Sequence, residues 1–70
     1  MDEIKKLSIV VEHWIEHNQG HIDEYQKWAQ KAGELGLRLV KIEIEEAAKS
    51  LSQSNEHLKK AVKAVRFPLA

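Results

Sequence analysis

The sequence predicts an all-α fold: an antiparallel two-helix hairpin that pairs with a second copy into a dimeric four-helix bundle. Two long stretches carry apolar residues at helical spacing, and the one proline, Pro68, lies near the end of the chain. Seventy residues bury only a small core, so a lone hairpin would leave much of its apolar surface uncovered. We therefore expect a single domain over residues 1–70 that forms a homodimer.

The first helix is predicted over about residues 3–34. Its apolar residues fall within one stripe when each position is advanced by about 100° around a helix. Asn18 is the one strongly polar residue in this stripe. The stripe consists of Ile4, Leu7, Val11, Trp14, Ile15, Asn18, Ile22, Tyr25, Ala29 and Ala32.

A turn is predicted near residues 35–36, and a second helix over about residues 37–66, ending before Pro68. Gly36 is the residue expected to end the first helix, because glycine readily adopts the left-handed conformation of a helix C-terminus. The second stripe again carries a single asparagine. It consists of Leu37, Val40, Ile44, Ala47, Ala48, Leu51, Asn55, Leu58, Val62 and Val65.

Two alternatives compete with this hairpin. Gly20 is less favourable than alanine by about 1 kcal/mol inside a helix and could divide the first helix in two. The stretch from Val40 to Glu45 alternates apolar and charged residues as a strand does, although no other segment alternates to pair with it. We favour two continuous helices.

The two stripe asparagines are expected to face each other. With a turn near residue 35 or 36, residues whose numbers sum to about 71 lie at the same height in the two helices. Asn18 then lies opposite Asn55 or its neighbour. Buried asparagines in helical seams hydrogen-bond and set the register, which favours a structural role over ligand binding.

Composition excludes several classes of function. The chain has no cysteine, so disulfides, thiolate nucleophiles and cysteine-ligated metal sites are absent. Eleven basic residues balance eleven acidic ones with no evident basic face, which argues against a nucleic-acid partner. No signal peptide or membrane span is predicted, and we expect a cytoplasmic protein.

Histidines form the most informative pattern. His13, His17 and His21 recur every four residues and so form a ladder along one side of the first helix. In the hairpin, His57 lies level with His13 and on the same face. One metal ion cannot reach the whole ladder, which is about 12 Å long. Two ligand sets are open: His13 and His17 with His57, or His17 and His21 with Glu24.

The same face has a second interpretation. Trp14, Tyr25 and Trp28 extend the apolar stripe toward the histidines, so this side could be a dimer interface or a docking surface with the histidines packed inside it. Catalysis has little support, since the motif His-Glu-x-x-His and glycine-rich phosphate loops are missing and two helices leave no room for a deep pocket. We therefore expect a protein that is not an enzyme.

One string of residues resembles a known group of proteins. It reads His-x3-His-Asn-x2-His-x3-Tyr-x2-Trp-Ala from His13 to Ala29, followed by Gly36 and by Asn55-x2-Leu58. It resembles a small uncharacterised prokaryotic domain that occurs alone or appended to nickel-binding proteins of carbon monoxide dehydrogenase maturation. The resemblance covers about residues 10–62 and implies a helical hairpin with a transition metal. Gly20 departs from the helix-forming residue expected at its position.

Together these observations predict a small metal-binding or metal-responsive protein. The metal ligands would come from the set His13, His17, His21, His57 and Glu24. Imidazole and carboxylate ligands suit nickel or zinc, and ligand type alone does not choose between them. The alternative is a structural or protein–protein interaction module whose aromatic and histidine face mediates dimerisation or binds another protein.

Overall fold

The computed structural model describes residues 2–66, and it contains two helices and no strand within that range. Helix α1 spans Asp2–Glu34 and helix α2 spans Arg38–Arg66, each within one residue of the predicted ranges. Neither helix has an apolar stretch of the length needed to cross a bilayer, as far as residues 2–66 are concerned. Pro68, expected to follow the end of the second helix, lies outside the described residues.

Both alternatives to the hairpin prove wrong. Helix α1 runs through Gly20 without interruption. The stretch from Val40 to Glu45 is the start of α2 and not a strand. Its apolar residues continue the helical period of the rest of α2, and an isolated strand would leave its backbone hydrogen bonds unpaired.

The turn follows the Schellman pattern of helix ends. The amide of Leu37 donates to the carbonyl of Ala32 at 2.9 Å, and the amide of Gly36 donates to that of Gly33 at 3.0 Å. Gly36 has a φ of 77°, a left-handed conformation that a side chain would strain. Leu37 was predicted to begin the second helix. Instead it caps α2: its carbonyl accepts from the amide of Lys41 at 3.0 Å, while its own amide closes α1.

The helices pack against each other in antiparallel orientation. The Asn18 side-chain amide donates to the Asn55 Oδ1 at 3.0 Å, which confirms the predicted pairing of the two asparagines. Nearer the turn, the side chain of Lys41 lies over Gly33. The longest dimension is 52 Å, close to the length of about 50 Å that 33 helical residues span. The hairpin is therefore as long as one straight helix, with the two helices lying side by side.

The core of this hairpin is narrow. Its buried hydrophobic residues are Val11, Ile22, Ala29, Ala32, Ala48 and Val62. Several residues of the predicted stripes, among them Ile4, Leu7 and Trp14, remain exposed. Two helices cover only the line along which they touch, so residues on the flank of each stripe lack a neighbour.

Replacing Gly20 by alanine should stabilise the hairpin by about 0.5–1 kcal/mol, because alanine loses less backbone entropy in a helix interior. A Cβ at this position would contact nothing within 4 Å. Urea denaturation would measure the change in the free energy of unfolding. Gly36→Ala is the control and should destabilise, since its φ is positive. A destabilised Gly20→Ala variant would contradict the free space found around position 20.

Candidate functional site

Two histidines of the ladder lie side by side. The Nε2 atoms of His17 and His21 are 2.9 Å apart, and their ring centroids are 4.5 Å apart in an edge-to-face arrangement. This proximity follows from sequence spacing, because residues four apart in a helix stand one above the other on the same side. His17 is exposed and His21 half-buried, so solvent reaches the pair.

The contact is a hydrogen bond in which one ring donates Nε2–H and the other accepts. Binding a metal requires both Nε2 atoms to present lone pairs, so the donating ring must move its proton to Nδ1 or lose it. Metal–nitrogen bonds of about 2.0–2.1 Å to atoms 2.9 Å apart subtend about 90° at the metal. A tetrahedral angle at the metal needs about 3.3 Å between the two nitrogens, so the rings would have to move apart by about 0.4 Å.

The other predicted ligands do not join this pair. His13, Glu24 and His57 are all exposed. Within residues 2–66, no group of three or more histidine, cysteine, aspartate or glutamate side chains is arranged to hold a metal ion. The structure therefore brings together His17 and His21 alone, and a metal bound to them would need further ligands from outside the hairpin.

The histidine pair belongs to a longer row of α1 residues, which we call the α1 strip. Its members alternate three and four residues apart, and most of them are large. Trp14 is 51% exposed and Trp28 is 58% exposed, while His21 stacks toward Tyr25 at a centroid distance of 6.2 Å. The α1 strip consists of Leu7, Val10, Trp14, His17, His21, Glu24, Trp28 and Lys31.

Helix α2 carries a matching row, which we call the α2 strip. It has the same spacing and lies on the same face of the hairpin, because the equivalent flanks of antiparallel helices point to one side. Most of its members are small. The α2 strip consists of Val40, Glu43, Ala47, Ser50, Ser54, His57, Ala61 and Ala64, and all of them are exposed. At one end, Val40, Glu43 and Ala47 line a shallow apolar hollow with Leu39 and Ile44.

The α2 strip did not emerge from the sequence analysis. Alanine and serine carry little hydrophobic signal, and His57 was treated only as a partner of the histidines on the first helix. The recurrence of Ala47, Ser50, Ser54, Ala61 and Ala64 at three- and four-residue spacing is the pattern that could have revealed it.

Comparison with known proteins gives one match. Residues 7–65 match a family described as "Domain of unknown function (DUF8180)". Neither the curated proteins nor the solved structures contain a match. The matched range includes both helices from Leu7 to Val65, with the histidine pair, Asn18, Asn55 and the turn. Since the match extends over most of the length of the chain, the chain belongs to the DUF8180 family.

Proposed function

We propose that this protein is a small, non-enzymatic metal-binding or metal-responsive protein, with His17 and His21 as its first two ligands. The observation that carries the proposal is the 2.9 Å separation of their Nε2 atoms on an accessible helix face. Imidazole nitrogen is a ligand that nickel and zinc both accept. The nickel-associated domain that the sequence resembles favours nickel, with zinc as the other candidate.

Dimerisation and location complete the proposal. We propose that two hairpins associate into a four-helix bundle, because each hairpin buries few hydrophobic residues and leaves two tryptophans exposed. We also propose that the protein is cytoplasmic. The chain has no cysteine and so forms no disulfide that would require an oxidising compartment.

Calorimetric titration of tag-free, chelator-stripped protein with nickel and with zinc tests the metal proposal. We expect binding at micromolar or tighter affinity for at least one of the two metals. Absence of a heat signal at protein concentrations near 100 μM would overturn the metal proposal, provided that equilibrium dialysis also detects no bound metal.

Metal affinity should fall steeply as the pH is lowered from 7.5 to 5.5. Ligation requires both imidazoles in the neutral form, so protons compete with the metal for the same Nε2 atoms. The same titration repeated across this pH range measures the effect. Affinity that stays constant down to pH 5.5 would point to carboxylates as the ligands instead.

A second candidate function is a protein-interaction module. The observation that favours it is the exposure of Trp14 and Trp28, since large exposed aromatic side chains are enriched at protein interfaces. Association through such a face should be unaffected by chelators. Self-association measured with and without EDTA tests this expectation, because association that required a metal would be lost in EDTA.

A further inference from the structure

We infer that a second copy of this chain packs its α2 strip onto the α1 strip, and that His57 of the second copy completes the ligand set begun by His17 and His21. The inferred packing depends only on the surface of the hairpin and not on metal binding. The ligand role of His57 rests on the proposed metal-binding function.

The exposed area is larger than a chain of this size should leave. The surface is 5899 Å² for 8.1 kDa, whereas a compact monomer of that mass exposes about 4,500 Å². The excess of about 1,400 Å² per chain exceeds the roughly 800 Å² that each partner buries in a standard interface. A second copy supplies a surface of the same length and shape, and a standard interface with it would bury more than half of this excess.

One face of the hairpin is suited to association and the other is not. The strips on the first face hold both tryptophans and most of the small residues of α2. The opposite face carries the exposed Ile9 and Ile42 but is otherwise polar, and it includes Lys5, Gln19, Asp23, Gln26, Gln30, Glu45, Lys49, Ser52, Glu56 and Lys63. Two hairpins are therefore expected to meet through the strip faces, leaving the polar faces in water.

Side-chain size decides which helices meet. Close packing favours large residues against small ones, because equal rows of large side chains hold helices apart and equal rows of small ones leave gaps. Trp14 and Trp28 belong to the α1 strip, while Ala47, Ala61 and Ala64 belong to the α2 strip. Each α1 should therefore lie on the α2 of the other copy.

This arrangement fixes the register. A two-fold axis parallel to the helices keeps every residue at its own height, and within one hairpin Asn18 is level with Asn55. Val10 is then level with residue 63 of the second copy, at a height between Ala61 and Ala64 of the α2 strip. Near the turn, Lys31 faces Glu43 of the second copy, so the charged members of the two strips meet with opposite sign.

In the same register, His57 of the second copy is level with residue 16 of α1, so it lies about 1.5 Å in height from His17 and about 7.5 Å from His21. The height of His17 is within reach of an imidazole on a facing helix. Each dimer would hold two equivalent sites of three histidines, which leaves one open position for water or a further ligand. The absence of a third ligand within one hairpin, over residues 2–66, is what this arrangement explains.

Cysteine cross-linking tests the packing, since the natural chain has no cysteine. Equal mixtures of Val10→Cys and Ala61→Cys should form a mixed disulfide in a glutathione buffer with EDTA. The control mixture of Val10→Cys and Ser52→Cys should not, because Ser52 lies on the polar face. Preferential cross-linking of Val10→Cys with Trp28→Cys would show α1 packed on α1 and overturn the inference.

Ala61→Arg tests the interface without a cross-link. Ala61 is exposed in the hairpin, so a monomer should tolerate arginine there, whereas in the inferred interface its bulk and charge should raise the dimer dissociation constant by about tenfold or more. Ser52→Arg is the matched control on the polar face. Analytical ultracentrifugation measures both variants in EDTA. A monomeric parent protein, or equal behaviour of the two variants, would overturn the packing.

His57→Ala separates the metal ligand from the interface. The variant should remain dimeric in ultracentrifugation but lose about tenfold or more of the metal affinity. An unchanged metal affinity would overturn the ligand role of His57. The packing of the two copies would still be tested by the cross-linking experiment. If the parent protein binds no metal, the proposed function fails, and the cross-links still decide how two copies pack.

Discussion

Replacing His17 by alanine should lower nickel or zinc affinity by about 100-fold or more, and His21→Ala should do the same. The two Nε2 atoms form a chelating pair, so removing either ring destroys the chelate and leaves only one imidazole of the pair to hold the metal. Even residues that only support a metal ligand commonly cost 10–100-fold in affinity when they are removed. Calorimetry on chelator-stripped protein measures the loss.

His13→Ala provides the matched control for these variants. It removes the same kind of side chain from the same helix, four residues before His17, but within residues 2–66 the Nε2 hydrogen bond of the pair joins His17 to His21 and not to His13. We expect a change of threefold or less, with unchanged helix content by circular dichroism. A large loss in His13→Ala and none in His21→Ala would move the site to the pair His13 and His17.

Asn55→Ala should destabilise the hairpin by about 2–3 kcal/mol. The Asn55 side chain is 2% exposed, donates to the carbonyl of Ile15 at 3.0 Å and accepts from Asn18 at 3.0 Å. Alanine would leave the Asn18 amide and the Ile15 carbonyl without these partners and create a small cavity. Urea denaturation should show the decrease, while Gln53→Ala, at an exposed position of the same helix, should change little.

The double variant Asn18→Leu with Asn55→Leu tests what the asparagine pair contributes. Two leucines remove both polar groups together, so we expect a protein as stable as the parent or more stable. The loss should appear in specificity, as a mixture of oligomers or registers in ultracentrifugation and cross-linking. A double variant that is less stable than Asn55→Ala would contradict this role.

Helical periodicity was sufficient to predict most of the fold. The stripes of apolar residues, a single late proline and Gly36 predicted two helices and their turn, because local propensity and pattern agree along nearly the whole chain. The pairing of Asn18 with Asn55 followed from hairpin geometry alone. The first residue of α2 was less predictable, since the hydrogen bond from Leu37 to Ala32 depends on the conformation of the whole turn.

For the candidate site, the sequence by itself determined which side of α1 carries the histidines, because a spacing of four in a helix leaves no choice of face. Side-chain rotamers on α1 decided which of them meet, and only the tertiary structure decided which hydrophobic residues remain uncovered. The contact between His17 and His21 depends on side-chain rotamers, and the exposure of Trp14 and Trp28 depends on how much of each stripe the opposite helix covers. Periodicity specifies the side of the helix on which a residue lies, whereas packing between the helices determines whether its side chain is covered or exposed.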